Sequence, residues 1–219
     1  MGVRLTAGVL VCVFAAAAVS AAAVSAAASF ASLLPPPAGA KVAIVVFQDL
    51  EWPDCATAYP LLVETARAHN VPLVVHDFPL PRHSWSFQAA VNARFFDQQS
   101  QKLGDEFRGY ILQNQKQIVD QAALQRLTEE FASENKLELP IVVDPEGKLA
   151  NMVTADFRLG QRIGVEHTPT VFVVSVGRPA YSFVETIDRQ KLDRVIQEMQ
   201  KKAGPPVAVK AAARKKKHS

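Results

Sequence analysis

The sequence predicts an α/β domain in which a strand–helix–strand unit and a strand–strand–helix unit flank a block of helices. Three observations predict it. Short β-branched apolar runs stand near both ends of residues 41–200. The stretch between them spaces its apolar residues by three and four, with few breakers. Proline and glycine pairs punctuate the joins. The chain has 219 residues, enough for a sizeable buried core. Its 49% hydrophobic and 21% charged residues exclude a wholly disordered, collagen-like or disulfide-scaffold protein. Two cysteines cannot build a disulfide framework.

Each element has its own signal. Residues 41–47 (KVAIVVF) read as a buried strand. A helix follows over 54–69, with Pro53 suited to its first turn. Ala58, Leu61, Leu62, Thr65 and Ala66 give it one apolar face, and Pro60 inside it predicts a kink. Residues 72–78 (PLVVHDF) are the second strand, parallel to the first across a right-handed crossover. Helices are predicted over 84–98, 101–116 and 121–135. Residues 140–144 (PIVVD) read as a short strand before a turn at 145–147. A helix over 149–163 places Leu149, Val153 and Phe157 on one side, continued by Leu159 or Gly160. Residues 170–176 (TVFVVSV) and 181–185 (YSFVE) form a hairpin about Gly177-Arg178-Pro179. Asp188 caps a last helix, which runs to about Lys201.

The ends are read separately. Arg4, the apolar run from Leu5 to Val19, and Ala-x-Ala sites ending at Ala23 and Ala28 describe a secretory signal over 1–28. The rival reading is an uncleaved anchor helix. Residues 29–40 form a linker stiffened by Pro35-Pro36-Pro37. The domain is placed at 41–201, with its helical insertion at about 84–138. Residues 202–219 are a basic, disordered tail. Seven bases and no acid fall after residue 200, so the rest keeps 17 of the 24 bases against 21 acids, a net of −4. A mildly acidic body gives no reason to expect a nucleic-acid-binding domain. The tail run Arg214 to Lys217 is a contact for anionic surfaces or a solvated end. Export implies an oxidising compartment, periplasmic or otherwise extracytoplasmic. Cleavage would leave Cys55 as the one cysteine.

The motifs come next. Residues 47–55 (FQDLEWPDC) join the first strand to the first helix. His167-Thr168-Pro169-Thr170 precedes the third strand, and Asp77-Phe78-Pro79-Leu80-Pro81 leads to His83 and Trp85. In this order and in these slots the segments resemble the DsbA-like thiol-disulfide oxidoreductases over roughly residues 41–200. The resemblance implies a thioredoxin-like fold with an inserted helical subdomain and a cis bond before Pro169. It also implies a Cys-Pro-x-Cys motif at the start of the first helix. Here the motif is Trp52-Pro53-Asp54-Cys55. A thiol at a helix N-terminus meets free N–H groups and the positive end of the dipole, and so becomes a thiolate. Trp52 occupies that first position, so no motif disulfide can form and two-electron shuttling is lost.

Cys55 matches the second, resolving position. It is open to two readings, an inert packed thiol or a reactive monothiol. Trp52 is an anchor for a peptide partner or a filler against the Pro169 loop. The resemblance implies that Thr168 and Pro169, with Trp52 and Pro53, line a groove for extended polypeptide, held by strand addition. His83 and Trp85 are expected to support the start of the insertion. His167 is expected to be a solvated loop residue. The histidines at 69, 76, 83, 167 and 218 show no metal-ligand spacing, and no phosphate-binding loop is present, so neither metal nor cofactor is expected. Two functions follow. One is an exported protein limited to monothiol exchange through Cys55 with a thiol or disulfide partner protein. The other is a non-redox, chaperone-like module that holds unfolded polypeptide.

Overall fold

A computed structural model describes residues 33–205. A four-stranded sheet in the order β2-β1-β3-β4 organises the domain. β1 (Val42–Gln48) leads to α1 (Pro53–His69) and back to β2 (Leu73–Asp77), which pairs in parallel with β1, Ile44 opposite Leu73. The insertion follows as α2 (Ser86–Gln99), α3 (Gln101–Gln113), a 3-10 turn (Gln115–Gln117) and α4 (Gln121–Glu134). Then α5 (Lys148–Arg162) leads to β3 (Thr170–Ser175), β4 (Arg178–Val184) and α6 (Arg189–Lys202). β3 runs antiparallel to both β1 and β4. This is the thioredoxin-like α/β fold with a helical insertion.

Alternation along the two central strands makes two cores. Val42, Ile44 and Val46 of β1, with Val171 and Val173 of β3, face α1, α6 and the insertion. Ala43, Val45 and Phe47, with Phe172 and Val174, face the other side, where Phe157 and Leu159 of α5 and its C-cap Ile163 pack. Both faces of β1 are covered, which is why residues 41–47 read as a continuous apolar run. Gly160 lets α5 approach the sheet, since a Cβ there would stand 2.5 Å from the Phe78 ring. Phe131 packs edge to face on Phe96 and Phe107, whose own rings are tilted, with centroids 4.6–5.2 Å apart, and the three close the insertion on itself.

The helix boundaries fall within three residues of expectation. α1 buries Tyr59 along with Ala58, Leu62, Thr65 and Ala66, while Leu61 is only partly covered. Asp188 caps α6 by accepting from the Lys191 N–H at 2.9 Å. Two readings are corrected. Residues 140–144 form bends, not a strand. Ile141 is fully exposed (104%) and Val142 largely so. Their β propensity is not realised, because neither β2 nor β4, the sheet's two outer strands, pairs with them. The hairpin turn is Val176-Gly177, so Arg178 and Pro179 open β4 instead of forming the turn. Pro179 is tolerated on an outer strand, and Gly177 supplies the positive φ of 73°.

Among the described residues no helix is long and apolar enough to cross a membrane. The signal or anchor over 1–28 and the basic run 214–217 lie outside the described residues.

Candidate functional site

The end of β1 positions the site. Beyond Gln48 the chain turns through Asp49-Leu50-Glu51 into α1, with Trp52 at its N-cap and Pro53 in its first turn. Pro53 needs no N–H there. Cys55 falls on the inward face of that turn. It is 1% exposed and is the free cysteine of the described residues. Its Sγ accepts a hydrogen bond from the Asp49 N–H at 3.4 Å. Burial pushes the thiol up to about 12. The Asp49 N–H and the Thr168 hydroxyl favour the thiolate, but the charges of Asp49 and Asp54 oppose it. Desolvation wins over the helix N-terminus.

Thr168 is thus brought beside Cys55, and it too is buried. The Thr168–Pro169 bond is cis. The Pro169 carbonyl accepts from the Glu185 N–H at 2.8 Å. That bond ties the loop to the end of β4. His167 is exposed, and its Nδ1 lies 3.1 Å from Glu185 Oε1. A cleft of about 490 Å³ opens beside this loop, lined in part by Gly164, Glu166, His167, Thr170 and Val184.

Trp52 is half-buried. Its ring stacks on His83 at 5.5 Å, and the Arg82 guanidinium lies 4.9 Å from the ring centroid. Its ring partners therefore belong to the entry of the insertion. Trp85 is buried at the N-cap of α2, and His83 Nδ1 lies within hydrogen-bond distance of the Asp49 carboxylate. The expected support of the insertion by His83 and Trp85 takes this form.

Three residues of the site had no role in the sequence reading. Asp49 is 0% exposed, and its carboxylate accepts from the Glu51 N–H (2.8 Å), the Leu80 N–H (2.6 Å) and the Ser86 hydroxyl. His83 Nδ1 stands 2.7 Å from the same group. Glu51 Oε2 accepts from the Trp85 and Ser86 N–H groups at 2.8 and 3.0 Å, and so caps α2 from outside. Gln115 Nε2 donates to the Leu50 and Trp52 carbonyls at 2.8 and 3.0 Å. Two carboxylates inside an otherwise apolar strand-to-helix join were the signal available. Gln115 gave none, being one glutamine among several in its helical stretch.

Comparison with known proteins fits this geometry. A family model described as thioredoxin matches residues 38–178. The chain belongs to the thioredoxin family. Among solved structures, this thioredoxin-family chain resembles Wolbachia pipientis alpha-DsbA1 (TM-score 0.63, 15% identity, 80% of this chain and 96% of that one). The thiol-disulfide exchange protein alpha-DsbA2 of the same organism gives 0.61 and 16%, over 83% and 98%. The catalytic domain of Proteus mirabilis ScsC gives 0.61 and 18%, over 80% and 97%. At these identities the likeness shows a shared fold. A search of curated proteins returned no match.

Proposed function

We propose that this thioredoxin-family protein is exported and belongs to the thiol-disulfide-exchange branch, with its own chemistry reduced to at most one thiol. The observation that carries this reading is Cys55, a single thiol on the first turn of α1, buried beside Thr168 and the Asp49 N–H. In such an exchange the Cys55 thiolate attacks a partner disulfide, forms a mixed disulfide and releases the partner's other sulfur as a thiolate. An external thiol then attacks the mixed disulfide and restores Cys55. No net oxidation of the protein occurs. The partner would be an extended polypeptide lying beside Trp52, Pro53, Thr168 and Pro169, or a thiol protein. In this reading residues 1–28 are the export segment, 41–201 the domain, and the tail a contact for anionic surfaces. Metal and cofactor play no part.

The burial of Cys55 also favours a second reading, in which the thiol is core and the surface holds polypeptide without redox chemistry. Thiol alkylation followed against pH, on native and on unfolded protein, separates the two. Native reaction, abolished in Cys55→Ser, supports monothiol exchange. Reaction only after unfolding overturns it. Peptide binding that falls in Trp52→Ala but persists in Cys55→Ser would then support the second reading.

A further inference from the structure

The join between β1 and the helix that carries Cys55 is fastened to the insertion by named bonds. The fastened parts are segment 79–86 at its entry and the 3-10 turn. Asp49 holds Leu80, His83 and Ser86 of this segment. Glu51 holds the N–H groups of Trp85 and Ser86. Gln115, on the 3-10 turn, holds the carbonyls of Leu50 and Trp52, the residues on either side of Glu51. Trp52 itself contacts His83 and Arg82 of the same segment. The join that leads to Cys55 is therefore tied both to the entry of the insertion and to its 3-10 turn. The residue that hydrogen-bonds the thiol through its N–H, Asp49, is also the one with the largest share of these ties.

We infer that Glu51 and Gln115, with Asp49, are positioning residues that form a clasp controlling access to Cys55. The thiol is reached by local release of segment 79–86 from the 49–52 join, while the sheet and its two cores stay folded. The inference rests on the monothiol reading and deepens it. A disulfide partner must approach Sγ along the S–S axis, and a thiol that is 1% exposed cannot be attacked or attack without such an opening. The bonds of the clasp lie at one end of the domain. Their release leaves the pairing of β1 with β2 and β3 untouched, which makes a local opening cheaper than unfolding.

The test follows reaction of the full chain with dithiobis(nitrobenzoate), in a Cys12→Ser background so that Cys55 is the sole thiol. The Cys55 thiolate attacks the reagent disulfide, keeps one half as a mixed disulfide and expels a coloured thiolate, the proton passing to buffer. Rates are taken across low urea and compared with the global unfolding slope from circular dichroism. Reaction is expected with a shallow urea dependence, and Glu51→Ala or Gln115→Ala should speed it about 10- to 100-fold, the effect of losing charge-assisted or paired buried bonds. Ile196→Val, in the core between sheet and α6, lowers global stability without touching the clasp and should leave the rate unchanged. A shallow slope with no acceleration in either clasp variant overturns the clasp and spares the monothiol reading. A slope equal to that of global unfolding, with variants accelerating only as far as they lose stability, overturns both. Gln115→Ala removes an uncharged side chain, so it reports even if Glu51→Ala does not fold.

Discussion

Asp49 and Asp77 invite comparison. They sit at the C-terminal ends of β1 and β2, neighbouring parallel strands, and both are buried. Asp49 is solvated by the protein. Two backbone N–H groups and the Ser86 hydroxyl donate to it, with the His83 ring beside it, and three of these four partners tie segment 79–86 to the join. Asp77 is held instead by charge. Arg94 Nε donates to it at 2.6 Å, and Arg108, fully buried, lies 3.9 Å away. Arg94 also reaches Asp156, and Arg108 pairs with Asp97 at 2.7 Å. Burial raises Asp77 above the ordinary carboxylate range in spite of both guanidiniums. The two carboxylates therefore do different work. Asp49 organises a loop by accepting dipoles, while Asp77 offsets buried cations that tie α2 and α3 to the sheet.

The largest effect that would test this difference is at Arg108. Arg108→Met should cost about 3–5 kcal/mol in urea unfolding, because Asp77 and Asp97 are left buried with less charge opposite them. Adding Asp77→Asn should recover part of that loss. Strict additivity of the two substitutions would break the account of Asp77 as a counter-charge. Next in size is the same chemical change made at both carboxylates. Asp49→Asn should cost about 2–3 kcal/mol, since an amide nitrogen faces donors that need an acceptor. Asp77→Asn alone should cost about 1 kcal/mol or less. The raised pKa also fixes a sign. Stability contributed by Asp77 is fully present below its unfolded value of 3.8 and is lost as pH rises through the raised folded value. The advantage of wild type over Asp77→Asn should therefore shrink as pH climbs from 3. Equal costs at 49 and 77, measured at pH 7, would erase the distinction.

A further effect concerns the thiol that the Asp49 N–H bonds. The fold keeps Cys55 protonated up to about 12, against 9.0 for an unperturbed thiol. Stability from that protonation is complete below pH 9 and falls as pH rises toward 12. At about pH 10.5 wild type should lose about 1–2 kcal/mol relative to its value at pH 8, beyond any loss in Cys55→Ala. Urea midpoints of the two proteins at both pH values check this. Parallel curves would mean that the thiol is less buried than its 1% exposure implies.

Much of the domain was legible before any coordinates. Residues 42–47 and 171–174 are unbroken apolar runs because both of their faces are covered. The misreading at 140–144 has the opposite cause. Pro140-Ile141-Val142-Val143 has strand composition, but a strand exists only where an edge accepts it, and no neighbour does. At the site, the sequence named Trp52, Cys55, Thr168 and Pro169, and the fold brings Thr168 to Cys55. It turns Trp52 toward His83 and Arg82 of the insertion.

By itself the sequence determined the α/β order, the helical insertion and the loss of a motif disulfide. Each of these depends on local periodicity or on the identity of one residue, Trp52 where a cysteine would be needed. Only the tertiary structure decided whether Cys55 is a thiolate. A helix N-terminus lowers a thiol pKa by a local field that can be read from the residues around it. Burial raises it by excluding water, and that depends on how distant parts of the chain, Thr168 among them, pack around the thiol. Desolvation is a property of the packed whole, and here it outweighs the local field.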